Sequence, residues 1–171
     1  MKLNRQERLN LVNQFLILEK LYPEEADYYA KHRKAIAEGY ELHYEWIYEG
    51  LWEGLSKADC QFVLEILDLY RAISFSSRHF TNETVQKHSW YQFPGFDGNN
   101  ESSYMAYCRY FIVDLERFDE LRYGQDIPDL NSHAPTIKKY KAMLDTWHEL
   151  GKPIDLTSEQ IINILEARPN V

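Results

Sequence analysis

Apolar residues recur every three to four positions along most of this chain, and the places where that rhythm fails divide it into a succession of helices. The first opens at Asn4, whose side chain can cap a helix while Glu7 reaches back. It runs to about residue 21, with Leu9, Val12 and Leu16 on its apolar side. Pro23 suits a first helical position, and Glu24, Glu25 and Asp27 complement the dipole of a second helix that ends near Gly39. Ser56, with Asp59 three residues on, starts a long helix that turns Phe62, Val63, Ile66, Leu67, Leu69, Tyr70 and Ile73 inward; it is the natural central helix. Another spans about 100–122, with Tyr104, Tyr107, Cys108, Phe111, Ile112, Leu115 and Phe118 on its apolar face. An irregular linker over 124–135 leads to helices over 136–150 and 158–167. The last of these has a capping box in Thr157 and Gln160 and a hydrophobic staple in Leu156 and Ile161. No alternating strand signal occurs. The expected fold is all-α, multihelical, with about seven helices and no significant sheet. It forms either one domain over 1–171 or two small subdomains, 1–80 and 99–171, around an ordered aromatic loop at 81–98.

One stretch carries a second pattern on top of the helical one. Residues 40–55, YELHYEWIYEGLWEGL, read as four tandem tetrads of an aromatic, a glutamate, a variable residue and His, Ile or Leu. At about 100° per residue, Glu41, Glu45, Glu49 and Glu53 fall on one slowly drifting stripe, and the aromatic and aliphatic residues share the remaining faces. Such a helix is expected to bury much of its girth and to show water an acidic edge. Gly50 and Gly54 each cost a helix about 1 kcal/mol, so the helix is expected to end near Gly50, leaving Glu53 in the following turn. Like charges at i and i+4 cost about 0.2–0.5 kcal/mol per pair, which aromatic burial outweighs. The exposed edge of Glu41, Glu45 and Glu49 is therefore a candidate interaction surface, facing basic residues such as Lys138, Lys139 and Lys141 or those of a second subunit.

Composition narrows the class. At 171 residues, with 44% hydrophobic residues, 13 Tyr, 8 Phe and 4 Trp, the chain has ample material for a core, and most tyrosine hydroxyls are expected at core edges. No apolar run approaches the roughly 18 residues of a membrane span, and no signal-peptide core follows the start. Cys60 and Cys108 sit inside helical apolar patterns and read as reduced core thiols. Together these point to a cytoplasmic protein with no membrane contact. The net charge is −8, and residues 38–68 hold eight acids against the single base Lys57, so direct nucleic-acid binding is disfavoured.

Candidate chemistry is sparse. A carboxylate-bridged metal centre needs Glu-x-x-His on two helices. Of six histidines, only His148 has an acid at that spacing, Asp145. The two cysteines do not make a zinc site, and neither a Gly-x-Ser-x-Gly elbow nor a phosphate loop occurs. No metal, cofactor or catalytic residue is nominated. The segment Phe93-Pro94-Gly95-Phe96-Asp97-Gly98 stands out, coupling a rigid turn, two aromatics and an acid beside a helix start. As a structural device, Phe93 and Phe96 plug the core, Gly95 takes a backbone angle others resist, and Asp97 caps the next helix. As a functional one, Asp97, Glu101, Tyr104 and Arg109, with His148, form a polar recess for a small ligand or peptide, with Arg109 paired to an acid such as Asp97 or Glu101.

Several segments in order along nearly the whole chain resemble the bacterial YfbU family. They are Asn13-Gln14-Phe15, Gly39-Tyr40, Leu69-Tyr70, then Phe93-x-Gly95-Phe96-Asp97-x-x-x-Glu101-x-x-Tyr104-x-x-Tyr107-x-Arg109, and finally Lys139-Tyr140-x-x-Met143-Leu144-x-x-Trp147-His148. The resemblance implies a small, multihelical, cytoplasmic bacterial protein with no settled biochemical activity, and its family pattern does not require all four tetrad glutamates. The expectation is an interaction or regulatory module without catalytic activity, self-associating through aromatic surface and able to meet a protein partner. The alternative is a small-molecule sensor or enzyme with a pocket between the 81–99 loop and the helices carrying Arg109 and His148.

Overall fold

The computed structural model describes residues 2–51 and 54–169. Among them are eight α-helices and no strand, as the helical periodicity predicts. The chain divides into two compact units, Met1–Gly54 and Leu55–Val171.

The first unit is built on α1 (Arg5–Leu21), α2 (Ala26–Glu38) and α3 (Glu41–Tyr48). The expected capping box is formed: the Asn4 side chain accepts from the Gln6 and Glu7 N–H groups, and Glu7 accepts from the Asn4 N–H at 2.8 Å. Pro23 opens a 3₁₀ turn ahead of α2. Antiparallel pairing of α1 and α2 is pinned at both ends. Arg8 donates to the Ile36 and Ala37 carbonyls at the end of α2, and Arg33 forks onto Glu19. The core between the helices consists of Phe15, Ile36 and Tyr44, with Leu11, Val12, Leu18, Tyr29 and Ile47 partly buried around it. Here α3 departs from expectation: Tyr44 is buried, whereas Leu42 is 74% and Trp46 58% exposed, so the helix buries one narrow strip. The turn position expected of Glu53 lies outside the described residues.

In the second unit, α4 (Lys57–Ser76) is the central helix, capped by Ser56, which accepts from the Asp59 N–H. Its buried Val63, Ile66, Leu67, Leu69, Tyr70, Ala72 and Ile73 meet α6 (Ser102–Arg109), α7 (Ile137–Glu149) and α8 (Ser158–Glu166) in one core. The stretch between Thr81 and Asn99 is ordered by the short α5 (Glu83–Gln86), capped by Asn82, and by Val85, Phe93 and Phe96, all buried. Cys108 is buried, Cys60 half-buried, and both are free thiols. Tyrosines are buried more deeply than expected: Tyr44, Tyr70 and Tyr140 are fully enclosed. The Tyr140 hydroxyl donates to the Gly95 carbonyl at 2.6 Å, while that of Tyr70 has no partner.

The helix expected over 100–122 is much shorter. It widens into a π turn over Tyr110–Asp114, where the Leu115 N–H reaches back to the Tyr110 carbonyl, and the chain then reverses through left-handed conformations at Glu116 and Phe118. Side-chain chemistry stops it. Arg122 donates through Nε and Nη2 to the Ile112 carbonyl, taking the acceptor that a continuing helix would use, and the Arg71 guanidinium lies 4.0 Å over the buried Phe118 ring. Periodicity cannot register a carbonyl taken by a residue ten positions away.

Candidate functional site

The Phe93–Gly98 segment is a knot tied to a remote strand-like stretch. The Phe96 N–H donates to the Leu130 carbonyl, the Ser132 N–H donates to the Phe96 carbonyl, and the Gly98 N–H donates to Asn131 Oδ1. Gly95 sits at φ +86°, and a Cβ there would lie 1.9 Å from the Leu130 oxygen, so no other residue fits. Around it pack the rings of Tyr70, Phe93, Phe96 and Tyr140, with centroids 5.1–6.1 Å apart.

Asp97 is buried and closes a local turn, accepting from the Asn99 N–H and the Asn100 side chain. The amide of Asn100 and the N–H of Asn99 hold its carboxyl below the usual range. Glu101, not Asp97, is the helix cap, and the helix is a distant one. Its Oε1 accepts from the Thr136 and Ile137 N–H groups at 2.8 and 3.0 Å, and its Oε2 from the Thr136 hydroxyl at 2.7 Å and the Asp97 N–H at 3.0 Å. These are orphan donors at the start of α7, whose own N-cap Thr136 makes no side-chain cap. Burial pushes the Glu101 carboxyl pKa up, but the N–H groups of Ile137 and Asp97 and the bonds from Thr136 outweigh it and hold the group below the usual glutamate range. The signal in the sequence was the first turn of α7, which contains no acid of its own.

The other candidates point elsewhere. Tyr104 donates to Asp59 Oδ1 at 2.7 Å, and that bond pushes the phenol up to about 12. Arg109 lies exposed at the end of α6, and both carboxylates expected to pair with it are bonded to other groups. His148 sits near the opposite end of α7 from Thr136, about 18 Å along a helix that rises about 1.5 Å per residue. Its Nε2 faces Glu65 at 3.7 Å beside Lys152. The structure thus brings Asp97 and Glu101 together and leaves Arg109 and His148 apart from them. Of the basic trio, Lys139 is committed to the carbonyls of Leu165 and Ala167 at the end of α8, which sequence reasoning missed; Lys138 and Lys141 are exposed.

The first unit presents a different kind of surface. Glu41, Glu45 and Glu49 are all exposed along α3. Leu9, Leu16, Ile17 and Leu21 are exposed on α1, and Tyr22, Tyr28, Tyr40, Leu42, Trp46 and Leu51 are exposed elsewhere in the same unit. On a helix wheel, Phe15, Leu11 and Leu18 share one side of α1, Leu9 and Leu16 lie about 20° apart on another, and Ile17 and Leu21 lie about 40° apart between the two. This helix is apolar on two sides and covered on one.

The sequence model of the YfbU domain matches residues 1–167, through both compact units. The UPF0304 protein MJECS11 of Methanocaldococcus jannaschii is 35% identical over 169 residues, covering 96% of this chain and 99% of the relative. The UPF0304 protein MS2240 of Mannheimia succiniciproducens is 30% identical over 168 residues, covering 98% of this chain and 100% of the relative. Among the described residues no helix is long and apolar enough to cross a membrane. On the length of the match and the order of its motifs, the chain belongs to the YfbU family.

Proposed function

We propose that this protein is a non-catalytic interaction module that works in the cytoplasm and self-associates through the outer face of α1. One observation carries the reading: among its described residues the first unit buries only Phe15, Ile36 and Tyr44 as its core, yet exposes ten large hydrophobic residues, four of them on α1. Exposed apolar side chains in this number mark an association surface, and a helix carrying four of them, laid against its own copy, covers them isologously. The free thiols fit a reducing compartment, and a net charge of −8 favours protein partners over direct contact with nucleic acid. The acidic edge of Glu41, Glu45 and Glu49 would meet basic residues of the second copy or of another protein. A pocket built from Asp97, Glu101, Tyr104, Arg109 and His148 has less support, because the two buried carboxylates are consumed in fixing the knot and α7.

Light scattering over a concentration series tests this. The wild type is expected to be a dimer or larger at micromolar concentration and the Leu16→Glu/Ile17→Glu variant a folded monomer. A wild-type monomer throughout the series would sink the proposal.

A further inference from the structure

A second feature of the first unit is independent of the α1 face. Between α2 and α3 lies a hollow of about 450 Å³ lined by Tyr28, Lys31, His32, Lys34, Ala35, Tyr40, His43 and Trp46, with no contribution from α1. Its size falls in the range of small-molecule sites, roughly 300–1,000 Å³. Its walls are rings set edge to face: Tyr28 against His32 with centroids 4.4 Å apart, and His43 against Trp46 at 4.3 Å. His32 is held from behind by Phe15, stacked at 5.8 Å, so this wall is anchored in the core and does not depend on a ligand for its position. Ala35 keeps the space between the walls open.

The charge on this lining is the informative part. The chain as a whole is −8, yet the hollow contains two lysines, two histidines and no carboxylate. Neither Lys31 nor Lys34 is in an ion pair among the described residues, although the unit has acids enough to supply partners. An open aromatic slot, with Tyr28, Tyr40 and Trp46 exposed around it, favours a flat ring, which covers them and gains offset or edge-to-face contacts with them and with His43. Two unpaired ammonium groups beside it favour an anion small enough to share them, and a compact, strongly hydrated ammonium serves a carboxylate as a point charge. Burial lowers the pKa of His32, leaving it neutral and able to donate or accept one hydrogen bond at the rim.

We propose that the α2–α3 hollow is a binding site for a small aromatic carboxylate, with its ring between the Tyr28–His32 and His43–Trp46 walls and its carboxylate on Lys31 and Lys34.

The test uses the full-length protein with benzoate and 2-naphthoate as probes and benzamide and acetate as controls. Binding is read from the Trp46 indole N–H resonance, identified by its loss in Trp46→Phe. Both aromatic acids are expected to shift it saturably, with benzamide at least roughly tenfold weaker than benzoate and acetate without effect. The Lys31→Gln/Lys34→Gln variant changes two exposed side chains and so leaves the fold intact; it is expected to weaken both acids by at least about tenfold. Absence of a saturable shift up to about 10 mM probe, equal binding of benzamide, or an unaffected lysine variant would each overturn the site. The Leu16→Glu/Ile17→Glu protein separates this inference from the self-association proposal. Unchanged binding in that variant supports an autonomous site, and its loss in the folded variant would show that the hollow belongs to the association interface and refute it.

Discussion

Glu101 is charged, 5% exposed, and surrounded by donors that have no other partner, so its effect on stability runs through protonation as well as geometry. A carboxylate with a lowered folded-state pKa contributes stability that is fully present above the unfolded-state value. That stability is lost as pH falls through the folded value. Glu101→Gln puts an amide donor where two donors already converge and is expected to cost about 2–3 kcal/mol at neutral pH in denaturant unfolding. Because the variant lacks the titrating group, it should also lose stability less steeply than the wild type as the solution is acidified below the glutamate range; an identical acid slope would refute the assignment. Gly95 supplies a purely steric contrast. Gly95→Ala is expected to cost about 3 kcal/mol or more, since the new methyl meets backbone, whereas Gly124→Ala, at φ +78° with nothing within 4 Å, is expected to cost about 1 kcal/mol. Much of this knot was legible. Phe93 and Phe96 in the core and the special angle of Gly95 follow from residue type, whereas the cap expected of Asp97 on the following helix is not formed, its carboxylate accepting from Asn99 and Asn100 instead. The role of Glu101 was not legible at Glu101 itself, because its partners Thr136 and Ile137 lie 35 and 36 positions away; the one trace in the sequence is the acid missing from the first turn of α7.

Helix starts were readable because capping is a contact within three residues. Asn4 with Glu7, Ser56 with Asp59 and Thr157 with Gln160 each form the bond that their spacing predicts. Helix ends set by tertiary contacts were not. Leu115 and Phe118 continue the apolar rhythm of α6, and only the three-dimensional fold shows that Arg122 takes the Ile112 carbonyl and Phe118 lies beneath Arg71. Similarly, the wheel that gave α3 a broad apolar face was right about composition and silent on how much of that face has a neighbour. If Arg122 is what terminates α6, removing its donors should loosen the reversal without unfolding the core. Arg122→Gln is expected to speed amide exchange at Leu115 and Arg117, whose N–H groups close the π turn, by roughly tenfold or more, given about 1.5–3 kcal/mol for bonds to a charged group. Exchange at Ile66 and Leu67 in α4 should not change. Equal acceleration at both places would mean that Arg122 supports the whole unit and not the helix end.

At the scale of the molecule, the two units have unequal means of holding themselves together. Among the described residues, the second encloses a core of more than twenty buried side chains around α4, and the first encloses three. A unit with so small a core gains most from covering its exposed leucines and tyrosines, since burial contributes about 25 cal/mol per Å² of apolar surface. The acidic edge decides how such a contact would respond to salt. Glu41 and Glu49 are exposed, and neither is in an ion pair among the described residues, so they are available to basic groups of a second copy or another protein. Exposed charges act over a Debye length of about 10 Å at 0.1 M salt and about 3 Å at 1 M. An association aided by this edge should therefore weaken as salt is raised from 0.1 to 1 M, while one driven by apolar burial alone should hold or strengthen. Glu41→Gln/Glu49→Gln, measured by sedimentation over the same salt series, is expected to associate several-fold more weakly than the wild type at low salt and to lose the salt dependence. Its circular dichroism and melting temperature should stay unchanged, because removing one like charge of an i, i+4 pair relieves repulsion of about 0.2–0.5 kcal/mol. If the variant instead associates more tightly at low salt, the edge repels its partner and serves solubility, and the contact must be sought on the α1 face alone.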